Sequence, residues 1–176
     1  MKISRLMLSI AIVAVLSVWA AAQQSTPKAA VEAFYKFDRV NSQTFNRANL
    51  DARKAWFSPE LYKLFENELK REAEYLKANP SEKPFFGDGM PFQPLDEACK
   101  VGTTEVRRGL VVKQEFQRTA HAAVTATFAY PKTCKEGGEP VVYTIGLVKS
   151  KGRWVIDNVN YGEDTSLTQR LQRKEY

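Results

Sequence analysis

The residues best suited to acid–base chemistry in this 176-residue chain are its single histidine and a few carboxylates. His121 is the natural proton donor or acceptor near neutral pH, because an unperturbed imidazole titrates in that range. The alternation of the surrounding segment places His121 on the face opposite Val124 and Phe128, which indicates a surface position. Tyr35 and Asp38 are three residues apart, a spacing that makes them neighbours on a helix and would suit an oxyanion donor and a base.

The hydrophobic pattern argues against these acids as catalytic groups. The apolar stripe of the first helical segment runs through Phe34 and Phe37, so Asp38 is expected to face water. Asp157 alternates with Trp154 and Ile156 in a strand-like segment and is also expected to point outward. We therefore predict no catalytic residue, and keep as the alternative a small lyase or isomerase with an Asp or His base.

Cys99 and Cys134 are the two cysteines of the chain, and their thiols are also chemically reactive. An even number of cysteines in an exported chain favours a disulfide, which would close a loop of about 35 residues; two free thiols are the alternative. The ligand spacings of a zinc site do not occur, since there is no Cys-x-x-Cys and no His close to either cysteine. The sequence also lacks a phosphate-binding loop and a nucleophile elbow, so no metal and no cofactor are predicted.

Residues 1–22 have the three-part pattern of a secretory signal peptide. Lys2 and Arg5 precede an apolar run from Leu6 to Trp19, and three alanines follow at positions 20–22. Cleavage there would leave about 154 residues, enough for one domain. That product is predicted to be periplasmic or secreted, without a transmembrane segment, because no second apolar stretch of 18 residues exists.

The formal net charge of +6 is spread over basic residues that alternate with acids. No run of five or more Lys or Arg occurs, so the charge indicates ordinary solubility, and nucleic acid is not predicted as a partner. The alternative for the charge is a basic tail, Arg170, Arg173 and Lys174, that contacts acidic surfaces of the cell envelope.

Two amphipathic helices are predicted in the first half of the chain. Thr26 and Pro27 form a helix start, and apolar residues then recur at helical spacing as far as Val40. The polar stretch Asn41 to Asn49 interrupts the stripe. Ser58, followed by Pro59 and Glu60, begins a second helix that ends at Asn79-Pro80.

The segment from Ser81 to Lys100 is rich in Pro and Gly and also in apolar residues. We call its central part, residues 85–95, the aromatic loop. Its side chains either cap the core or remain exposed as a binding edge. The candidate binding residues of this loop are Phe85, Phe86, Asp88, Met90 and Phe92.

From Thr103 onward the period changes to two, which predicts four strands. Their expected ranges are 104–117, with an irregularity near Gly109, 121–130, 141–149 and 153–161. The remainder, residues 162–176, is polar and is expected to fray or to form a short surface helix. Helices followed by antiparallel strands predict one α+β domain over residues 23–161, with the N-terminal helices packed on a curved four-stranded antiparallel sheet.

The last hairpin, from Val141 to Asp157 with Gly152-Arg153-Trp154 at its turn, resembles the nuclear-transport-factor-two-like (cystatin-like cone) superfamily. The Ser58-Pro59-Glu60 helix start and the Asp88 to Phe92 segment followed by Asp96 resemble an uncharacterised exported bacterial branch of that superfamily. The resemblance implies a cone with a pocket between sheet and helices, and it allows a homodimer paired through the sheet. The implied pocket residues are Trp56, Phe57, Phe128, Tyr143, Trp154 and Tyr161.

Superfamily members include isomerases, dehydratases and binding modules, so the fold implies a pocket without specifying a reaction. The sequence therefore predicts an exported, non-catalytic domain that binds a partner protein or a small apolar ligand through the cone mouth or the aromatic loop.

Overall fold

The computed structural model describes residues 26–95, 99–101, 103–134, 137–162 and 165–174. The predicted signal peptide, residues 1–22, lies outside the described residues, and so does Asp96.

The first helix, α1, spans Pro27–Asp38, and the Thr26 side chain caps it by accepting a hydrogen bond from the Ala29 amide at 3.2 Å. Phe34 is fully buried, as the stripe predicts. Val40 is 81% exposed, so its inclusion in the stripe was wrong. The helix ends two residues earlier, and the chain then turns away from the core.

A short helix that the sequence did not suggest, α2 (Arg47–Arg53), begins inside the polar stretch. Asn46 caps it, because its side chain accepts a hydrogen bond from the Asn49 amide at 2.9 Å. Leu50 is fully buried and anchors the helix. A single 3₁₀ turn, Lys54–Trp56, then leads toward the next helix.

The long helix α3 spans Pro59–Ala78, as its start and stop residues predict. The Ser58 hydroxyl accepts a hydrogen bond from the Leu61 amide at 3.0 Å, and the Ser58 amide donates to the Ile156 carbonyl at 2.8 Å. The cap therefore fixes the start of α3 and also ties it to the last strand of the sheet.

The predicted strands form an open, four-stranded antiparallel sheet in which the order across the sheet is the order along the chain. The strands are β3 (Gly109–Gln117), β4 (His121–Ala129), β5 (Val141–Ser150) and β6 (Arg153–Asn160). Lys151 and Gly152, with φ values of 48° and 81°, form the two-residue turn between β5 and β6. This observed arrangement confirms the α+β fold class.

The segment 104–117, predicted as one strand, is divided in two. Thr104–Val106 forms β2, which pairs with β1 (Cys99–Val101) in a separate two-stranded sheet. The irregularity expected near Gly109 is this break at residues 107–108, and a bulge lies further on, between Gln114 and Phe116.

The core lies between α1, α3 and one face of the sheet. The predicted inward face of β4 is buried, with Val124 and Ala126 fully enclosed. The opposite face of the sheet leaves apolar side chains in solvent: Val111, Phe116 and Val142 are 68%, 50% and 48% exposed.

The end of the chain contributes to the core as well. Helix α4 (Leu167–Leu171) begins with a capping box between Ser166 and Gln169, and it packs on α3 and β6. Both leucines are buried. Residues 167–171 thus form the short helix that was one of the two expectations for residues 162–176, but the apolar side of this helix packs against the domain instead of lying on the surface.

Cys99 and Cys134 form a disulfide with a Cα–Cα distance of 6.2 Å. It links β1 to the turn that precedes β5. No helix in the described ranges is both long enough and apolar enough to cross a bilayer.

Candidate binding groove

A groove of about 410 Å³ opens between the aromatic loop and one end of the sheet. This volume lies in the range of about 300–1,000 Å³ that is typical of small-molecule sites. The loop forms one wall, and β5, Tyr161 and α4 form the other. The lining residues are Phe85, Phe86, Asp88, Gly89, Met90, Pro91, Gln93, Pro94, Leu95, Val141, Tyr143, Tyr161 and Arg170.

The aromatic loop is held by α3 and by the connection between α1 and α2. The Phe86 amide donates to a carboxylate oxygen of Glu72 at 2.7 Å, and the Met90 amide donates to the Gln43 carbonyl at 2.6 Å. Gly89 has a φ of 123°, and a Cβ there would lie 2.7 Å from the same Gln43 oxygen, so only glycine fits. These contacts hold the loop in place as one wall of the groove.

Three of the four apolar candidates in this loop are buried, namely Phe86, Met90 and Phe92. The Phe92 ring lies 5.0 Å from that of Phe34 and belongs to the core. Phe85 remains 43% exposed and borders the groove, with its ring edge-on to Phe86 at 5.0 Å. The loop therefore closes the core and also leaves one ring accessible to a ligand.

The opposite wall is built from aromatic rings that contact one another. Tyr143 lies 5.3 Å from Phe128 and 4.9 Å from Tyr161, in edge-to-face arrangements. The Tyr161 hydroxyl donates to the Pro91 carbonyl at 2.8 Å, which joins this wall to the loop. Burial raises the pKa of Tyr161, against an opposing effect of Arg170, so the phenol is neutral at physiological pH.

Two of the described side chains that line the groove are charged, Asp88 and Arg170. The Arg170 guanidinium lies 4.4 Å from the Tyr161 ring centroid, in a cation–π arrangement. Asp88 forms an ion pair with Lys83 on the solvent side of the loop. The groove is thus aromatic and apolar, with one cationic end.

The structure brings two of the six predicted pocket residues, Tyr143 and Tyr161, to this groove. Phe128 and Trp154 are buried in the core, at 1% and 2% exposure. Trp56 is half-buried and packs on Phe34, with 6.1 Å between the ring centroids.

Phe57 is buried and borders a second depression, of about 420 Å³, beside the β5–β6 turn. Exposed charged side chains of Lys54, Lys151 and Arg153 contribute to that depression. We therefore take the first groove as the candidate site, because more aromatic side chains line it than line the second depression.

The expectation that Asp38 faces water was wrong, since Asp38 is fully buried. One carboxylate oxygen accepts from Arg53 Nε at 2.8 Å, and the other accepts from Gln93 Nε2 at 2.6 Å. Because α2 returns against the end of α1, Arg53 is buried beside this carboxylate. Asp38 thereby joins α1, α2 and the aromatic loop, and both of its oxygens are engaged in that structural role.

The other acid–base candidates do not meet in the groove. Tyr35 is buried, and its hydroxyl has no hydrogen-bond partner among the described residues. Burial, followed by the negative charge of Asp38, raises the pKa of Tyr35. His121 is exposed at the end of β4 opposite to Phe128, and Asp157 is half-buried in β6.

An ionic cluster around the buried Glu68, which sequence reasoning missed, holds residues 171–173 next to the groove. Arg173 donates to both carboxylate oxygens of Glu68, at 2.6 and 3.2 Å, and its guanidinium lies 3.5 Å from the Phe85 ring centroid. Arg71 also pairs with Glu68, at 2.5 Å, and donates to the Leu171 carbonyl. The pattern Ser166-x-x-Gln169 is a capping box and could have predicted the start of α4. This helix places Arg170 at the groove.

Comparison with known proteins gives no match to any family model, to any curated protein or to any solved structure. The resemblance to the cone superfamily therefore stays a prediction, and the function is argued from the groove itself.

Proposed function

We propose that this protein is an exported binding protein that holds a small apolar ligand in the groove beside the aromatic loop. The observation that carries the proposal is the groove of about 410 Å³, whose walls include Phe85, Tyr143 and Tyr161. Such walls bind apolar ligands because they remove apolar surface from water, and each Å² of apolar surface buried contributes about 25 cal/mol of favourable free energy.

The rigidity of the site supports small-molecule binding. The Glu72 and Gln43 contacts hold the loop, and the Tyr161 hydroxyl links the two walls. A preorganised site loses little conformational freedom on binding, and that saving favours affinity.

Two observations support export. Residues 1–22 have the signal-peptide pattern, and the Cys99–Cys134 disulfide suits an oxidising compartment. The cone superfamily, with helices that precede an antiparallel sheet, remains our proposed fold family.

The lyase or isomerase alternative requires an acid–base group aimed at the ligand. Asp38 has both oxygens engaged in the buried contacts with Arg53 and Gln93, and Asp88, the carboxylate among the groove residues described, is paired with Lys83. These placements favour binding without chemistry.

A fluorescence titration with the neutral aromatic alcohol 2-(1-naphthyl)ethanol tests the proposal. Phe85→Ala removes an accessible groove ring and should weaken binding about tenfold, since burial of a large apolar side chain contributes about 1.5–3 kcal/mol. Phe116→Ala is the matched control, because Phe116 is similarly exposed but lies on the far face of the sheet. Equal effects of the two variants, or no binding to the unaltered protein, would contradict the proposal.

A further inference from the structure

We propose that the ligand has a flat apolar body with one acidic oxyanion group, such as a carboxylate, and that Arg170 binds this group. The inference rests on the proposed function, because it names the ligand class that the same groove takes.

Arg170 is a cation whose charge the described structure leaves available. Other arginines near it are committed: Arg173 and Arg71 both pair with Glu68. Arg170 makes its charge contact with the face of the Tyr161 ring and forms no ion pair within the described ranges. An unpaired guanidinium at the wall of an apolar groove attracts an anion more strongly than it would in open water.

The acid of the groove does not offset this charge. Asp88 is paired with Lys83, an exposed lysine two residues before the loop. The remaining described side chains of the lining are neutral. The groove therefore presents a net positive charge at the Arg170 end.

Arg170 is also held in place before any ligand arrives. It lies on α4, whose Leu167 and Leu171 are buried, and its guanidinium carbon lies over the Tyr161 ring at 4.4 Å from the centroid. The Tyr161 hydroxyl is fixed in turn by the Pro91 carbonyl at 2.8 Å. A guanidinium that contacts an aromatic ring in this way still has N–H groups to donate, and a pair of them matches the two oxygens of a carboxylate.

The rest of the lining defines the body of the ligand. Tyr143, Phe85 and the prolines Pro91 and Pro94 offer flat or rigid apolar surfaces. A volume of about 410 Å³ is near the lower end of the range for ligand sites, so one small ring system fits. The chemical class is a small aromatic or alicyclic acid.

Two probes with the same carbon skeleton separate this inference from the proposed function. Calorimetric titration with 1-naphthaleneacetate and with 2-(1-naphthyl)ethanol compares the acid with the neutral alcohol. The acid should bind at least tenfold more tightly, because a charge-assisted hydrogen bond contributes about 1.5–3 kcal/mol. This preference should shrink as salt is added.

Arg170→Gln should abolish the preference for the acid and leave the affinity for the alcohol nearly unchanged. Lys113→Gln removes one positive charge from a side chain that is 76% exposed on β3 and should alter neither affinity. Arg170→Lys keeps the charge but loses the planar stacking surface, so it should retain part of the preference.

The outcomes are distinguishable. Equal affinities for the two probes, or a preference that survives in Arg170→Gln, would overturn the role of Arg170 while the groove proposal stands. Failure of both probes to bind would remove the proposed function and this inference together. If Arg170→Gln does not melt cooperatively, the inference is tested on the unaltered protein, through the effect of salt on its preference for the acid over the alcohol. A preference that added salt does not reduce would refute the inference.

Discussion

At the residue scale, a buried network of charged groups positions the groove. Asp38 receives hydrogen bonds from Arg53 and from Gln93, a residue that also lines the groove. Arg53 is fully buried and donates in addition to the carbonyls of Asn49 and Ser42, both at 3.0 Å. The Arg53 guanidinium thus compensates the charge of the Asp38 carboxylate, and its hydrogen bond to Ser42 holds the connection between α1 and α2.

Removal of this carboxylate should destabilise the fold strongly. Asp38→Ala leaves Arg53 as an uncompensated buried charge, a change that typically costs about 3–5 kcal/mol. Urea denaturation followed by circular dichroism measures the loss. Lys28→Gln breaks the exposed Lys28–Glu32 pair, whose side chains are 47% exposed, and should leave the midpoint nearly unchanged. Similar midpoints for the two variants would contradict the structural role of Asp38.

The burial of Asp38 shows why local patterns did not reveal the polar contacts. The helical stripe correctly placed Phe34 inside, but it could not show that Arg53 and Gln93 return to the end of α1. Such contacts join residues 15 and 55 positions apart. The position of Arg170 at the groove could not be predicted for the same reason, since it depends on how α4 packs against the rest of the domain.

At the element scale, strong local signals gave reliable boundaries. Ser58-Pro59 at one end and Asn79-Pro80 at the other delimit α3, and alternation delimits β4 to within one residue. The signals were weaker for α2 and α4, which have seven and five residues. Helices this short obtain most of their stability from tertiary packing, which a local pattern does not contain.

Helix α4 should therefore depend on its buried leucines. Leu171→Ala removes a side chain that is 2% exposed in the core, and the free energy of unfolding should fall by about 2–5 kcal/mol. Val40→Ala truncates an apolar side chain that is 81% exposed and should change stability little. Thermal denaturation of the two variants measures the difference, and a Leu171→Ala protein as stable as the control would show that the chain end is dispensable.

At the scale of the whole molecule, the order of elements gave the architecture. Helices followed by hairpin-connected strands predict a sheet covered on one face, and the structure has that arrangement. The apolar side chains of the aromatic loop were expected either to cap the core or to remain exposed, and Phe86, Met90 and Phe92 are buried. The groove could not be located from composition, because its walls come from the loop, the sheet and the last helix.

The disulfide fixes a part of the molecule that has few other constraints. Strands β1 and β2 have three residues each, and most of their residues are exposed. Replacement of Cys99 and Cys134 by Ser should lower stability by about 4 kcal/mol on the chain-entropy model, given a sequence separation of 35. Urea denaturation of this double variant measures the change, and an unchanged midpoint would contradict a stabilising role.

The most direct test of the account is a map of the residues that a ligand contacts. Amide chemical shifts of the isotope-labelled protein, followed during titration with 2-(1-naphthyl)ethanol, provide that map. We predict saturable changes in residues 85–95, in Val141 and Tyr143, and around Tyr161 and Arg170. Changes centred instead on the exposed face of the sheet near Val111, or no saturable change at all, would contradict the assignment of this groove as the binding site.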